Sequence, residues 1–115
     1  MKKNQIFKKV FLLTAFALFI TSAISFAGEK TTEINLPTVQ CGMCKRIIEK
    51  ALNKVDGVIN SEIDIESKKV SVTYDDSKTD LLKIERAITK AGYDANNRKA
   101  DKKAYDKLDE CCKVK

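Results

Sequence analysis

Cys41-Gly42-Met43-Cys44 places two thiols three residues apart, just ahead of a helical apolar pattern. Thiolates are soft ligands that favour Cu(I), Hg(II), Cd(II) and Zn(II) over hard cations. At this spacing the pair either holds one such ion or oxidises to each other. A helix N-terminus favours negative charge and so lowers the pKa of thiols placed on it. Two thiolates alone suit a linear ion, Cu(I) or Hg(II), whereas Zn(II) ordinarily takes four ligands. An ion with few protein ligands also passes more easily to another thiol pair, which a carrier needs. The chain contains no histidine. That excludes a Cys/His zinc site and any His-assisted catalytic triad.

The other two of the four cysteines are Cys111 and Cys112, near the C-terminus. Four cysteines in a small exported chain would allow a disulfide framework. Their clustering into two close pairs argues against one, because bridges gain most by closing long loops. The pairs read instead as two ends of one thiol site. Cys111 and Cys112 are candidate additional metal ligands, or a relay that moves metal to and from Cys41 and Cys44. The alternatives are a mobile tail with exposed thiols, or a strained vicinal disulfide.

Residues 1–27 read as a secretory signal peptide. Lys2, Lys3, Lys8 and Lys9 form a basic start, Val10 to Ile20 (VFLLTAFALFI) is an apolar core, and Ser25-Phe26-Ala27 puts small residues where cleavage needs them. An uncleaved anchor is the alternative, although the apolar run up to Phe26 is marginal for a full span. The expected location is therefore periplasmic or secreted. Four of the 22 basic residues and none of the 16 acidic ones fall in this segment, so Gly28 to Lys115 carries 18 against 16. The basic character belongs largely to the leader, and charge gives nucleic-acid binding no support. The mature length can bury one modest core.

The elements that position the thiols follow from periodicity. Thr31 to Leu36 alternates as a strand, with Ile34 and Leu36 on one face, and Pro37 ends it. Met43, Ile47, Ile48, Ala51, Leu52 and Val55 recur at helical spacing, and Asp56-Gly57 stops that helix. Val58 to Ile65 and Lys69 to Tyr74 alternate as a hairpin around Glu66-Ser67-Lys68. Ile59, Ile63 and Ile65 are expected inward on the first strand, and Val70, Val72 and Tyr74 on the second. Leu81, Ile84, Ile88 and Ala91 mark a second helix, capped by Gly92, and Tyr93-Asp94-Ala95 is expected to start a last strand. Asp101 to Glu110 reads as a short polar helix ahead of Cys111.

The order strand, helix, strand, strand, helix, strand predicts an α+β fold: a ferredoxin-like βαββαβ sandwich. Two helices would cover one face of a four-stranded antiparallel sheet, with a short C-terminal helix appended. Strand neighbours follow by analogy with that architecture. Residues 1–27 are expected to be leader, 28–97 the domain and 98–115 a helical extension with the second cysteine pair.

From about Thr31 to Ala95 the chain resembles the heavy-metal-associated domain family, which includes copper chaperones, modules of metal-exporting ATPases and periplasmic mercury-binding proteins. The resemblance rests on the Cys-x-x-Cys after the first strand, the following helix (CKRIIEKAL), the Gly57-Val58 turn and Ala91-Gly92-Tyr93. It implies a ferredoxin-like fold with Cys41 and Cys44 as the metal ligands. The family usually has Gly-Met-x-Cys-x-x-Cys, whereas Thr38-Val39-Gln40 precede Cys41 here. Val39 is expected in the methionine's packing place, and Gly42-Met43 lies between the thiols.

Met43 and Tyr93 are the candidate shielding residues. Met43 also offers a thioether, but its spacing to Ile47 favours packing on the helix's apolar face. Tyr93 is expected at the cysteine end of the sheet, where shielding and core packing both explain it. Lys45 and Arg46 either soften the charge of a dithiolate complex or form a solvated helix face. The chain is thus expected to be a soft-metal carrier or scavenger, not an enzyme. Cu(I) or Hg(II) comes first as cargo, with Zn(II) or Cd(II) behind. The metal would pass to a membrane transporter or metal-exporting ATPase by thiol exchange, and the chain is expected to act as a monomer. A thiol–disulfide oxidoreductase is the alternative. Against it, the only proline, Pro37, precedes the motif, and the chain is short for a thioredoxin-like fold. A structural zinc or disulfide staple is a third reading. Any exported thiol site must also be kept reduced, or loaded before it oxidises.

Overall fold

The computed structural model describes residues 28–114. The expected leader lies outside the described residues. Three strands, β1 (Glu29–Asn35), β2 (Val58–Asp64) and β3 (Lys69–Asp75), form an antiparallel sheet in the order β1-β3-β2. Helices α1 (Gly42–Asn53) and α2 (Leu81–Lys90) pack on it, followed by the short α3 (Lys102–Asp106) and a 3-10 turn at Glu110–Cys112. Among the described residues no helix is long and apolar enough to cross a membrane.

β3 is central because it satisfies ladders on both sides, and its β-branched alternation suits that place. Val70, Val72 and Tyr74 are buried, while Ser71 and Thr73 on the other face are half-buried. Val70 pairs with Ile34 on one side and Ile63 on the other, joining three apolar side chains across the sheet. On the opposite face Thr31 and Thr73 meet through their hydroxyls at 3.1 Å.

β2 departs from the expected pattern. Val58 pairs with Tyr74 but Asn60 pairs with Thr73, so Ile59 is the extra residue of a bulge. A bulge reverses the in–out alternation. Val58 therefore packs against the core on the same face as Ile63, and Ile59 is 54% exposed. Ile65, expected inward, lies just past the strand and is half-buried.

The sheet has three strands rather than the four expected. After Tyr93 and Ala95, both buried, the chain turns back on itself: the Ala95 and Arg98 backbones exchange bonds of 3.0 and 2.9 Å. Asn96 takes a left-handed conformation, φ 53°, which asparagine tolerates better than most residues. Its N–H donates to the Asn35 carbonyl (2.8 Å), and its Oδ1 accepts from the Asn35 N–H (2.9 Å). One asparagine thus satisfies the end of β1 where a continuous strand was expected. Buried Glu85 fixes the turn from α2, accepting from Arg98 Nε at 2.8 Å and Asn96 Nδ2 at 3.4 Å.

α1 buries Cys44, Ile48 and Leu52, one residue per turn. α2 starts at Asp80, whose carboxylate accepts from the Lys83 N–H at 2.8 Å, and buries Ile84 and Ile88. Leu81, expected inward, stands at the helix start and is exposed. Val39 is fully buried in the core. α3 is shorter than the expected helix from Asp101 to Glu110. It ends at Asp106, Leu108 turns back to pack against the core, and the Asp109 carbonyl accepts the Cys112 N–H at 2.8 Å.

Candidate metal site

Cys41 is the residue at which the chain enters α1. Its backbone is extended (φ −152°), and its side chain makes no capping bond, so the sulfur is free to turn toward the helix end. Its carbonyl accepts from the Lys45 N–H at 3.2 Å. Cys44 lies one turn into α1 and is fully buried, the first member of the stripe that continues through Ile48 and Leu52. The same periodicity that builds the core therefore aims this thiol inward. The sulfurs of half-buried Cys41 and buried Cys44 are 3.6 Å apart, and none of the four cysteines is joined in a disulfide.

The C-terminal segment returns to this end of the domain. Gly92 has φ +104°, and a Cβ there would lie 3.1 Å from the Ala104 carbonyl group and 3.1 Å from Leu108 Cδ1. A bare backbone at Gly92 thus lets α3 lie directly on it. The Asp101 N–H donates to the Thr89 carbonyl at 2.9 Å, and the Ala100 N–H to Asp94 Oδ1 at 2.8 Å. Cys112 is fully buried as part of the core, whereas Cys111 is exposed. Their sulfurs are 3.9 Å apart, and the sulfurs of Cys41, Cys111 and Cys112 all lie within 4.8 Å of one another. The Cys41 thiol points at the Cys111 carbonyl, 4.0 Å away.

Met43 does not pack on the core face expected of it. The buried stripe is centred on Cys44 and Ile48, so the Met43–Ile47 row runs along its edge. Ile47 is half-buried, while Met43, at the open end, is 46% exposed. Its thioether sulfur accepts from the Cys111 thiol at 3.9 Å. Tyr93 is fully buried, and its hydroxyl completes no hydrogen bond with any atom. The polar atoms it faces are the sulfurs of Cys44 and Cys112. Lys45 is half-buried and Arg46 exposed.

These neighbours set the acidities. Burial opposes ionisation of Cys44, but the Cys112 thiol, the Tyr93 hydroxyl and backbone groups at Gln40 and Cys41 outweigh it and bring this thiol to about 7. Burial pushes Cys112 up to about 12, and its role as donor to Cys44 adds to that. The Tyr93 hydroxyl is raised by burial and by both sulfurs. The site therefore holds one readily ionised thiol beside donors that stay protonated at neutral pH, the arrangement in which a thiolate is stabilised before metal arrives.

One residue and one role escaped the sequence. Thr38 ties the cysteine loop to the Tyr93 segment, its hydroxyl accepting from the Asp94 N–H at 3.0 Å. Gly92 seats the C-terminal segment as well as ending α2. In sequence Gly92 reads only as a cap; its second role, like that of Thr38, depends on what the folded chain brings beside it.

Residues 33–94 match the heavy-metal-associated domain model. The chain is 40% identical over 86 residues to the mercuric transport protein periplasmic component of Shewanella putrefaciens, covering 75% of this chain and 92% of that protein. It is 44% identical over 61 residues to the copper chaperone CopZ of Staphylococcus aureus, covering 53% of this chain and 90% of that one. The crystal structure of oxidized MerP from Ralstonia metallidurans CH34 superposes with a TM-score of 0.57 at 32% identity, over 59% of this chain and 94% of that chain. With its cysteine loop, packed helices and matched residues taken together, the chain belongs to the heavy-metal-associated domain family.

Proposed function

We propose that this protein is an exported soft-metal carrier. In this reading Cys41 and Cys44 bind Cu(I) or Hg(II), and the ion passes to the thiols of a membrane transporter or a metal-exporting ATPase. The observation that carries the reading is the pair of sulfurs 3.6 Å apart at the N-terminus of α1, one half-exposed and one buried. The half-exposed sulfur is where an incoming thiol can attack. The buried one, ionised near neutral pH, holds the ion meanwhile. Membership of a metal-binding family supports the cargo class, and the name of the Shewanella relative supports a periplasmic setting and a transport role. Thiolates select soft ions, and two-coordinate binding leaves room for ligand exchange. Met43 and Tyr93 shield the ion, one from the rim and one from beneath. The protein works as a monomer and performs no catalysis.

Competition titration of the reduced protein with Cu(I) and Hg(II), run beside an insulin-reduction assay, tests this. Tight stoichiometric binding lost in Cys41→Ser and Cys44→Ser is expected. Catalytic disulfide reduction without metal affinity would overturn the reading in favour of an oxidoreductase.

A further inference from the structure

We infer that Cys111 and Cys112 close the site from below, joining Cys41 and Cys44 in a four-thiolate centre that takes a tetrahedral d10 cation such as Cd(II) or Zn(II). This rests on the reading of Cys41 and Cys44 as ligands and changes what the site selects.

Three of the four sulfurs already cluster, and the fourth, Cys44, is joined to them through Cys41. A tetrahedral ion at about 2.3 Å from each sulfur puts sulfur–sulfur edges at about 3.8 Å, and a linear ion holds its two sulfurs about 4.6 Å apart. Cys41 and Cys44 stand at 3.6 Å and Cys111 and Cys112 at 3.9 Å. Cys41, Cys111 and Cys112 all lie within 4.8 Å of one another, and Cys44, beyond 4.8 Å from at least one of the terminal pair, has to close the remaining gap as the ion binds.

The segment that brings them is built in. Cys112 is fully buried, Leu108 packs on the core, and α3 lies against the bare backbone of Gly92. The Met43 thioether receives the Cys111 thiol at the rim. The Tyr93 hydroxyl is a fully buried donor with no completed hydrogen bond, and it faces two of the four sulfurs. A buried donor left unpaired is costly, and sulfur that becomes thiolate on metal binding gives it an acceptor. The N-terminus of α1 adds a second source of positive potential for the charge that four thiolates bring. On binding, each sulfur that still carries a proton passes it to solvent as it joins the cation, and no oxidant or reductant takes part.

X-ray absorption on the reduced protein loaded with Cd(II) counts the sulfur ligands directly. Four are expected. Cys111→Ser, an exposed position, should leave three. Cys111→Ser/Cys112→Ser should leave two, with oxygen or nitrogen filling the shell and Cd(II) affinity weaker by roughly a hundredfold or more. Because Cys112 is buried, circular dichroism must show that the double variant is folded. Leu108→Ser, which keeps all four thiols but loosens the tail, provides the same reading if it is not. An unchanged sulfur count and affinity in Cys111→Ser and in the tail-loosened variant would overturn the inference while leaving Cys41 and Cys44 as ligands. A protein that binds no soft metal at all would overturn both.

Discussion

The Tyr93 hydroxyl stands buried against the Cys44 sulfur, reaching from the chain after α2 to the thiol at the start of α1. The oxygen donates to no nitrogen, oxygen or sulfur in completed geometry, so it is held ready for a thiolate. Tyr93→Phe keeps the ring and removes only this donor. Well below pH 7, where Cys44 is protonated, the apo protein should be no less stable, because an unsatisfied buried hydroxyl contributes nothing to folding. The Cys44 thiol should become a weaker acid, and soft metal should leave faster. Thiolate ultraviolet absorbance and stopped-flow metal release measure these effects.

Ionisation of Cys44 gives a second expectation. Its folded value of about 7 lies under the ordinary 9.0, so ionisation favours the folded state. That contribution is fully present above pH 9 and is lost as pH falls through 7. A pH titration of thiolate absorbance should show one group with a midpoint near 7, absent in Cys44→Ser. Metal affinity should fall more steeply with acid below that midpoint, because one more proton must then be displaced.

Core and site can be separated along α1. Cys44→Ala should abolish tight binding and cost about 1 kcal/mol of stability, since this residue is fully buried. Cys41→Ala, at a half-buried position, should abolish binding with little change in stability. Leu52→Ala, two turns further along the stripe, should cost about 3 kcal/mol and leave the affinity of the folded protein as it was. Chemical denaturation with competition titration checks all three.

Much of this was legible before any coordinates. Cys44, Ile48 and Leu52 fall at helical spacing, and Val70, Val72 and Tyr74 at strand spacing. The core could therefore be read, but the expected apolar face of α1 begins at Met43 and leaves out Cys44, whose inward direction only the folded helix shows. Ile59 could not, because a bulge adds a residue without altering the apparent alternation. Met43 shares the helical period, yet its position on the first, open turn of α1 exposes it and gives it to Cys111. The missing fourth strand turns on Asn96, which satisfies Asn35 by side chain and backbone together. Local propensity does not reveal such a long-range bond.

The seat of the C-terminal segment is equally long-range, and it yields a fourth prediction. Gly92→Ala places a methyl 3.1 Å from Ala104 and Leu108 at φ +104°. Strain of about 1–3 kcal/mol is expected, relieved by loosening α3. Cys112 should then react readily with an alkylating reagent that spares it in the native protein. Mass spectrometry of labelled peptides reads this directly.

The central claim is that Cys41 and Cys44 hold the soft metal. Copper-edge X-ray absorption on the reduced, Cu(I)-loaded protein tests it most directly, with Cys41→Ser/Cys44→Ser alongside. The account predicts a shell of sulfur alone in the native protein and loss of that bound copper in the double variant. A native shell dominated by nitrogen or oxygen, or an unchanged copper site in the variant, would contradict it.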